Sequence, residues 1–376
     1  MSEITRALIA RVGVDLAKNV IHVHAVDRAG RRVVARAIKR EQFLAWCAQL
    51  PAGCVVAMEA CSGAHAWARR LRATGVDAKL IAASFVTPYR MEGKSGKNDM
   101  TDAAAVCEAA SRPTMRFVPI KTAEQQGVMV LHRMREGFKE ERTACINRIR
   151  GVLAEFELVF GKSPKVLRAV LGDVIEDASN ELTGLTRLTV QQAYEHWREL
   201  DERMRWCDQE IGVHVRSSEQ ARRAAKVTGI GEIGASALTA GVGDFKQFKS
   251  GSQFGAWLGI VPSQNSSGGK ARLGRITKRG DEYLRTLLIQ GAKSAVMSAG
   301  KRDDPISQWL VQLVARVGWQ KACVAMANKN ARILWAVMTR EQGFDAQHVS
   351  VKPQAKCAPA TAGKPAKADQ QVALAA

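Results

Sequence analysis

Four carboxylates stand near the ends of regular stretches in the first 102 residues of this chain. Asp15 closes the apolar run Val12-Gly-Val, and Glu59 closes Cys54-Val-Val-Ala-Met58. Asp99 and Asp102, three residues apart, open an alanine-rich run. Singly, each has a plain structural explanation: a turn cap for Asp15, and helix capping or the macrodipole for the helix-opening pair. Jointly, they are suited to hold magnesium, because hard divalent cations take carboxylate oxygens and two such ions can clamp both sides of a phosphoryl displacement. A second candidate lies far downstream, in Ser263-Gln-Asn-Ser266-Ser267-Gly268-Gly269-Lys270-Ala-Arg272-Leu-Gly274-Arg275-Ile-Thr-Lys278-Arg279-Gly280. Two hydroxyls beside paired glycines, followed by basic residues, make either an ordinary Gly/Ser turn or a phosphate-contacting loop with an exposed nucleophile. Between them, Thr228-Gly229-Ile-Gly231 has the pattern of a helix-hairpin-helix turn, in which Gly229 and Gly231 would let backbone amides approach a nucleic-acid phosphate.

The acids need elements to position them. Residues 8–15, 20–27 and 32–38 read as three strands of a meander, the second alternating apolar and polar residues. A helix over 41–50 stops at Pro51-Ala-Gly53, and the almost wholly apolar run 54–58 reads as a strand buried on both faces, with Glu59 at its end. A helix over 63–74 and a buried strand over 78–82 follow, and Asp99 and Asp102 share one face of the first turn of the next helix. Three antiparallel strands, a helix, a central strand carrying the second acid and a later helix carrying the last give a mixed sheet of the ribonuclease-H type, with flanking helices. Beyond it, long helical stretches over 122–160 and 186–216 pair as an antiparallel hairpin, and 161–184 is a loose connection. The remainder reads as a mainly helical domain containing the glycine turn and the serine loop. Its closing helices cover 283–297 and 308–339, with Trp309, Leu313, Trp319 and Trp335 in their core. The expected division is 1–120, 121–220, 221–345, and a basic tail over 346–376 with no hydrophobic periodicity.

Fifty-six Lys and Arg against thirty-six Asp and Glu leave a formal net charge of +20. Such an excess fits an anionic polymer, since each neutralised phosphate releases counterions. No apolar run approaches the roughly 20 residues of a spanning helix, and the N-terminus lacks a signal-peptide core, so a cytoplasmic nucleic-acid-binding protein is expected, with no membrane partner. The eight cysteines include no Cys-x-x-Cys pair, and reduced, mostly buried thiols are expected.

The stretches Val-Gly-Val-Asp15-Leu-Ala-Lys, Ala-Met-Glu59-Ala-Cys-Ser-Gly, Lys97-Asn-Asp99-Met-Thr-Asp102-Ala, Thr-Gly-Ile-Gly231 and the Ser266-Ser267 motif through Gly280 together resemble the DEDD insertion-sequence transposases of the "IS one-ten" group. The resemblance spans roughly residues 8–110 and 220–300, in the family's order. It implies a RuvC-like domain joined to a C-terminal transposase domain, and DNA recombination through a phosphoserine link assisted by Mg2+ on Asp15, Glu59, Asp99 and Asp102. It also implies a structured noncoding bridge RNA that pairs with target and donor DNA, and a homodimer or homotetramer whose site is composite between protomers. The nucleophile falls on Ser267, with Ser266 as the alternate. Lys270, Arg272, Arg275, Lys278 and Arg279 become the nucleic-acid-contacting residues, Lys270 and Arg272 stabilising charge on the phosphate. Three competing readings are a RuvC-like endonuclease resolving branched DNA without a serine intermediate, an actin-like-fold ATPase or kinase, and a non-catalytic scaffold. The second requires an Asp-x-Gly-Gly phosphate loop that does not follow the first turn here.

Overall fold

The computed structural model describes residues 7–90, 98–266, 270, 272–340 and 343–348. Ser267 and nearly all of the basic tail lie outside the described residues. Strands β1 (Arg11–Leu16), β2 (Val20–Val26) and β3 (Arg32–Lys39) form the expected antiparallel meander. Strands β4 (Val55–Glu59) and β5 (Asp77–Ile81) continue the sheet in parallel beyond β1. A short β6 (Phe117–Val118), absent from the sequence reading, pairs antiparallel with β5. The strand order is β3-β2-β1-β4-β5-β6.

Alternation along the strands divides the sheet into two faces. Val12, Val14, Ile21, Val23, Val56, Met58 and Leu80 bury against Phe43 and Trp46 around α1 (Phe43–Cys47) and against Trp67 and Leu71 of α2 (Ala64–Ala73). On the opposite face, Ala57 and Ile81 pack with Val86 of α3 (Ala83–Val86) and with Ala105, Val106 and Ala109 of α4 (Asp99–Ala109). Gly13 belongs to this second face, and a Cβ there would sit 2.1 Å from the Ala103 carbonyl and 2.3 Å from the Cys107 amide. The absence of a side chain at Gly13 is what lets α4 lie directly on β1.

Helices α5 (Ala123–Ala154) and α7 (Gly184–Ser217) run antiparallel, cross-linked by Arg135 with Asp208 and by Arg142 with Asp201. The segment expected as a loose connection contains α6 (Pro164–Glu176), which packs Leu167 and Leu171 onto Ile149, Leu153 and Trp197. Pro164 starts it at a position where the missing N–H costs nothing. The first long helix also ends earlier than its pattern implies, because Glu157 adopts φ +56° and turns the chain.

Next come α8 (Glu219–Ala225), α9 (Glu232–Val242) and α10 (Gly251–Trp257), then a two-stranded sheet of β7 (Pro262–Gln264) and β8 (Leu273–Ile276). Helices α11 (Glu282–Ser298), α12 (Pro305–Val317) and α13 (Trp319–Thr339) complete the chain's described architecture. Their core joins Leu238, Phe254, Leu288, Leu310, Met326 and Leu334. The closing stretch is two helices because Gly318, at φ +83°, breaks it. Trp319, placed in the core by its spacing, is exposed instead, while Leu313 is buried and Trp309 and Trp335 are partly so. The described cysteines are free thiols, all buried except Cys61. No helix among the described residues is long and apolar enough to cross a membrane.

Candidate active site

Parallel pairing of β1 with β4 brings the carboxyl ends of both strands to one edge, where Asp15 and Glu59 fall on the face covered by α4. The first turn of α4 enters at the same edge, fixed by a reciprocal cap between Asn98 and Thr101 and by the close seat of the helix on Gly13. Asp99 and Asp102 therefore reach the strand ends from above. Ligand atoms of Asp15, Asp99 and His22 lie within 4.8 Å of one another. Arg90 links the other two acids, with Nε 2.7 Å from Asp102 Oδ1 and Nη2 3.2 Å from Glu59 Oε2. All four predicted carboxylates thus share one edge of the sheet.

The electrostatics of this edge are uneven. Glu59 and Asp102 have the Arg90 guanidinium between them. Asp15 pairs with no described cation. Its carboxyl is held above the usual range, first by burial and then by the charges of Asp99 and Asp102; His22 opposes this and Glu59 adds to it. Half-buried, mutually repelling carboxylates of this kind favour a bound cation or a proton. Oxygen ligands converging from two strands and a helix fit a divalent metal, and the unpaired Asp15 marks the side on which its charge is needed.

Two residues of this edge escaped the functional reading of the sequence. His22 sits directly opposite Asp15 in the β1–β2 ladder, a position obtainable by counting across the reversal once the strand ends are known. Arg90 was visible only as one basic residue in an irregular stretch. Its approach to Glu59 and Asp102 is a tertiary contact with no local signature.

The described residues of the serine motif include β7 and β8, which pair antiparallel. Ser266 is exposed, and its Oγ accepts hydrogen bonds from Gln264 Nε2 (3.0 Å) and the Arg272 amide (3.1 Å). Lys270, Arg272, Arg275, Lys278 and Arg279 are exposed. The hairpin's base is closely packed: a Cβ on Gly280 would lie 2.1 Å from the Trp257 carbonyl. Buried Arg285 donates to the Gly280 carbonyl at 3.0 Å. The glycine turn between α8 and α9 also has an internal role. Gly229, at φ +83°, packs against Gly291 of α11, where a Cβ would meet the Gly229 carbonyl at 1.8 Å, and Asn330 donates to the Thr228 carbonyl. Gly231 is exposed at the N-terminus of α9.

Comparison with known proteins assigns this geometry a context. Residues 12–157 match a DEDD transposase model of the IS110 type, and residues 221–306 match the transposase model of the IS116/IS110/IS902 family. The chain is similar to a probable family 20 transposase of Pseudomonas aeruginosa, at 45% identity across 89% of this chain and 98% of that protein. It is similar to the transposase for insertion sequence element IS1111A of Coxiella burnetii, at 39% identity across 89% of this chain and 90% of that protein. The transposase for insertion sequence element IS1328 of Yersinia enterocolitica shares 36% identity across 89% of this chain and 98% of that protein.

Proposed function

Because the chain belongs to the IS116/IS110/IS902 family of insertion-sequence transposases and is a DNA transposase, we propose that it joins element ends to target DNA by serine attack, assisted by the carboxylate cluster. The reading is carried by one observation: Asp15, Glu59, Asp99 and Asp102, spread over 88 residues, share the edge where β1, β4 and α4 meet. Asp15 and Asp99, supported by Glu59 and Asp102, would hold Mg2+. The ion supplies charge neutralisation at the reacting phosphate.

The chain's own residues supply the rest. Ser267 Oγ forms a bond to phosphorus as the bond to a deoxyribose oxygen breaks, the serine proton ending on the departing deoxyribose hydroxyl; the incoming strand's hydroxyl later displaces serine from the phosphoserine link, its proton returning to Ser267 Oγ. Lys270 and Arg272 neutralise charge developing on the phosphate. Ser266 Oγ accepts from Gln264 and Arg272, and Ser267 is assigned as the nucleophile with Ser266 as the alternate. The exposed amide end of α9 at Gly231 suits a helix-hairpin-helix contact to backbone phosphate, and Arg275, Lys278 and Arg279 extend that contact along the strand.

On this reading residues 1–120 form the RuvC-like domain, 121–220 a helical spacer and 221–345 the transposase domain. The serine hairpin of one protomer meets the acids of another in a dimer or tetramer. A noncoding bridge RNA supplies sequence recognition by pairing, so the protein reads mainly backbone and shape.

The test is strand transfer between element-end and target DNA by the protein purified with its bound nucleic acid. Transfer is expected to require Mg2+ and to fall by at least about 100-fold in Glu59→Gln, the scale of removing one electrostatic element from a catalytic site. Undiminished transfer by Glu59→Gln would overturn the proposal.

A further inference from the structure

The geometry points to His22 as a nitrogen ligand, through Nδ1, of the cation held by Asp15 and Asp99; this inference rests on the carboxylate cluster being a metal site, as proposed above. His22 faces Asp15 across the β1–β2 ladder, on the face covered by α4. Its Nδ1 is buried from solvent and has no hydrogen-bond partner among the described residues. Asp99 Oδ2 lies 3.4 Å away. An imidazole that served only to pair with Asp99 would be expected to donate a formed hydrogen bond, because a buried polar nitrogen left unsatisfied is costly. A metal ligand needs the reverse, a free lone pair aimed at the point where carboxylate oxygens converge. His22 offers such a nitrogen: a ring nitrogen lies within 4.8 Å of ligand oxygens of both Asp15 and Asp99, and Nδ1 lies beside Asp99 Oδ2.

The charge distribution selects the same side of the cluster. Arg90 neutralises Glu59 and Asp102, whereas Asp15 pairs with no described cation and is repelled by its neighbours. A cation shared by Asp15, Asp99 and His22 resolves both the orphaned nitrogen and the unpaired carboxylate. One nitrogen in an otherwise oxygen set also bears on metal affinity. Mg2+ is held through oxygen donors and its own waters, whereas Mn2+, a transition-metal ion that shares that preference for oxygen, gains more from one added nitrogen donor. Loss of the His22 nitrogen is therefore expected to weaken Mn2+ binding more than Mg2+ binding, with the carboxylates still serving either ion.

The experiment uses the full chain with Mn2+ alone and Mg2+ alone. Mn2+ bound to the wild-type protein is read by pulsed electron paramagnetic resonance, which detects a coordinated imidazole nitrogen without any substitution. Nitrogen modulation is expected, and it should disappear in His22→Gln. That variant should weaken Mn2+ binding by at least about 10-fold, the scale on which loss of even a residue supporting a metal ligand is felt, and weaken Mg2+ binding less. Mn2+ that binds with no imidazole modulation, or with modulation that persists in His22→Gln, overturns the role of His22 while leaving the carboxylate site standing. Failure of the wild-type protein to bind either cation, with Asp15→Asn indistinguishable from it, overturns the metal site and this inference with it.

Discussion

At Asp15 a half-buried carboxylate faces Asp99, Asp102 and Glu59 without a described cation of its own. Burial and those neighbours raise its proton affinity, so the ionised form is less favourable in the folded chain than in the unfolded one. The sign is opposite to that of a salt-bridged Asp: the cost is present above the folded-state pKa and is relieved as pH falls through it. Asp15→Asn in the presence of a chelator is accordingly expected to melt about 2 °C above wild type, while strand transfer is lost. A lower melting temperature for Asp15→Asn would contradict the unpaired-charge account. From residues alone, the position of Asp15 at a strand end was readable, and so were the strand end at Glu59 and the helix start at Asp99. The pairing of Arg90 with two of the acids was not, because it joins segments 31 and 12 residues apart through a fold that the local pattern does not determine.

Glycines set how closely the elements of this chain pack. Gly13 seats α4 on β1, and Gly291 seats the turn between α8 and α9 on α11. Gly291→Ala forces a methyl into the Gly229 carbonyl, an overpacking expected to cost about 3 kcal/mol in a urea titration; an unchanged midpoint would contradict the tight contact. The turn's sequence suggested phosphate binding, but for Gly229 the tertiary demand is internal, which no local glycine pattern can reveal. The helix Pro164–Glu176 was likewise missed in sequence because its buried residues, Leu167 and Leu171, are few among exposed ones. The meander, the central strand and the long helix pair were legible because their apolar spacing is regular. One further property belongs to the helices. His132 of α5 is fully buried between Ser236 of α9 and Tyr283 of α11. Its pKa is pushed down to about 4 from its ordinary 6.5, chiefly by burial. The unfolded chain therefore takes up this proton first, and the stability contributed by neutral His132 is complete above pH 6.5 and lost as pH falls toward 4. His65, also pushed down to about 4, adds the same trend. The urea midpoint should drop between pH 7 and 5, and drop less in His132→Gln; equal drops in the two proteins would contradict this assignment.

Over the whole molecule, the net charge of +20 explains affinity for nucleic acid but leaves the chemistry unspecified. The proposed chemistry draws on two pieces far apart in sequence: a carboxylate edge complete by Asp102 and a basic hairpin starting at Pro262. The first was legible as a set of strand and helix ends. The second rests on its resemblance to a family and remains a proposal, because a Gly/Ser loop has the same local physics whether or not it reacts. The most direct test of the account joins both pieces in one measurement: the yield of denaturant-resistant protein–DNA adduct, with the linked peptide identified by mass spectrometry. Wild-type protein is predicted to give an adduct at Ser267 that is absent in Ser267→Ala and reduced by at least about 100-fold in Asp15→Asn. Strand transfer that proceeds with no adduct, or an adduct that survives Ser267→Ala, would contradict it.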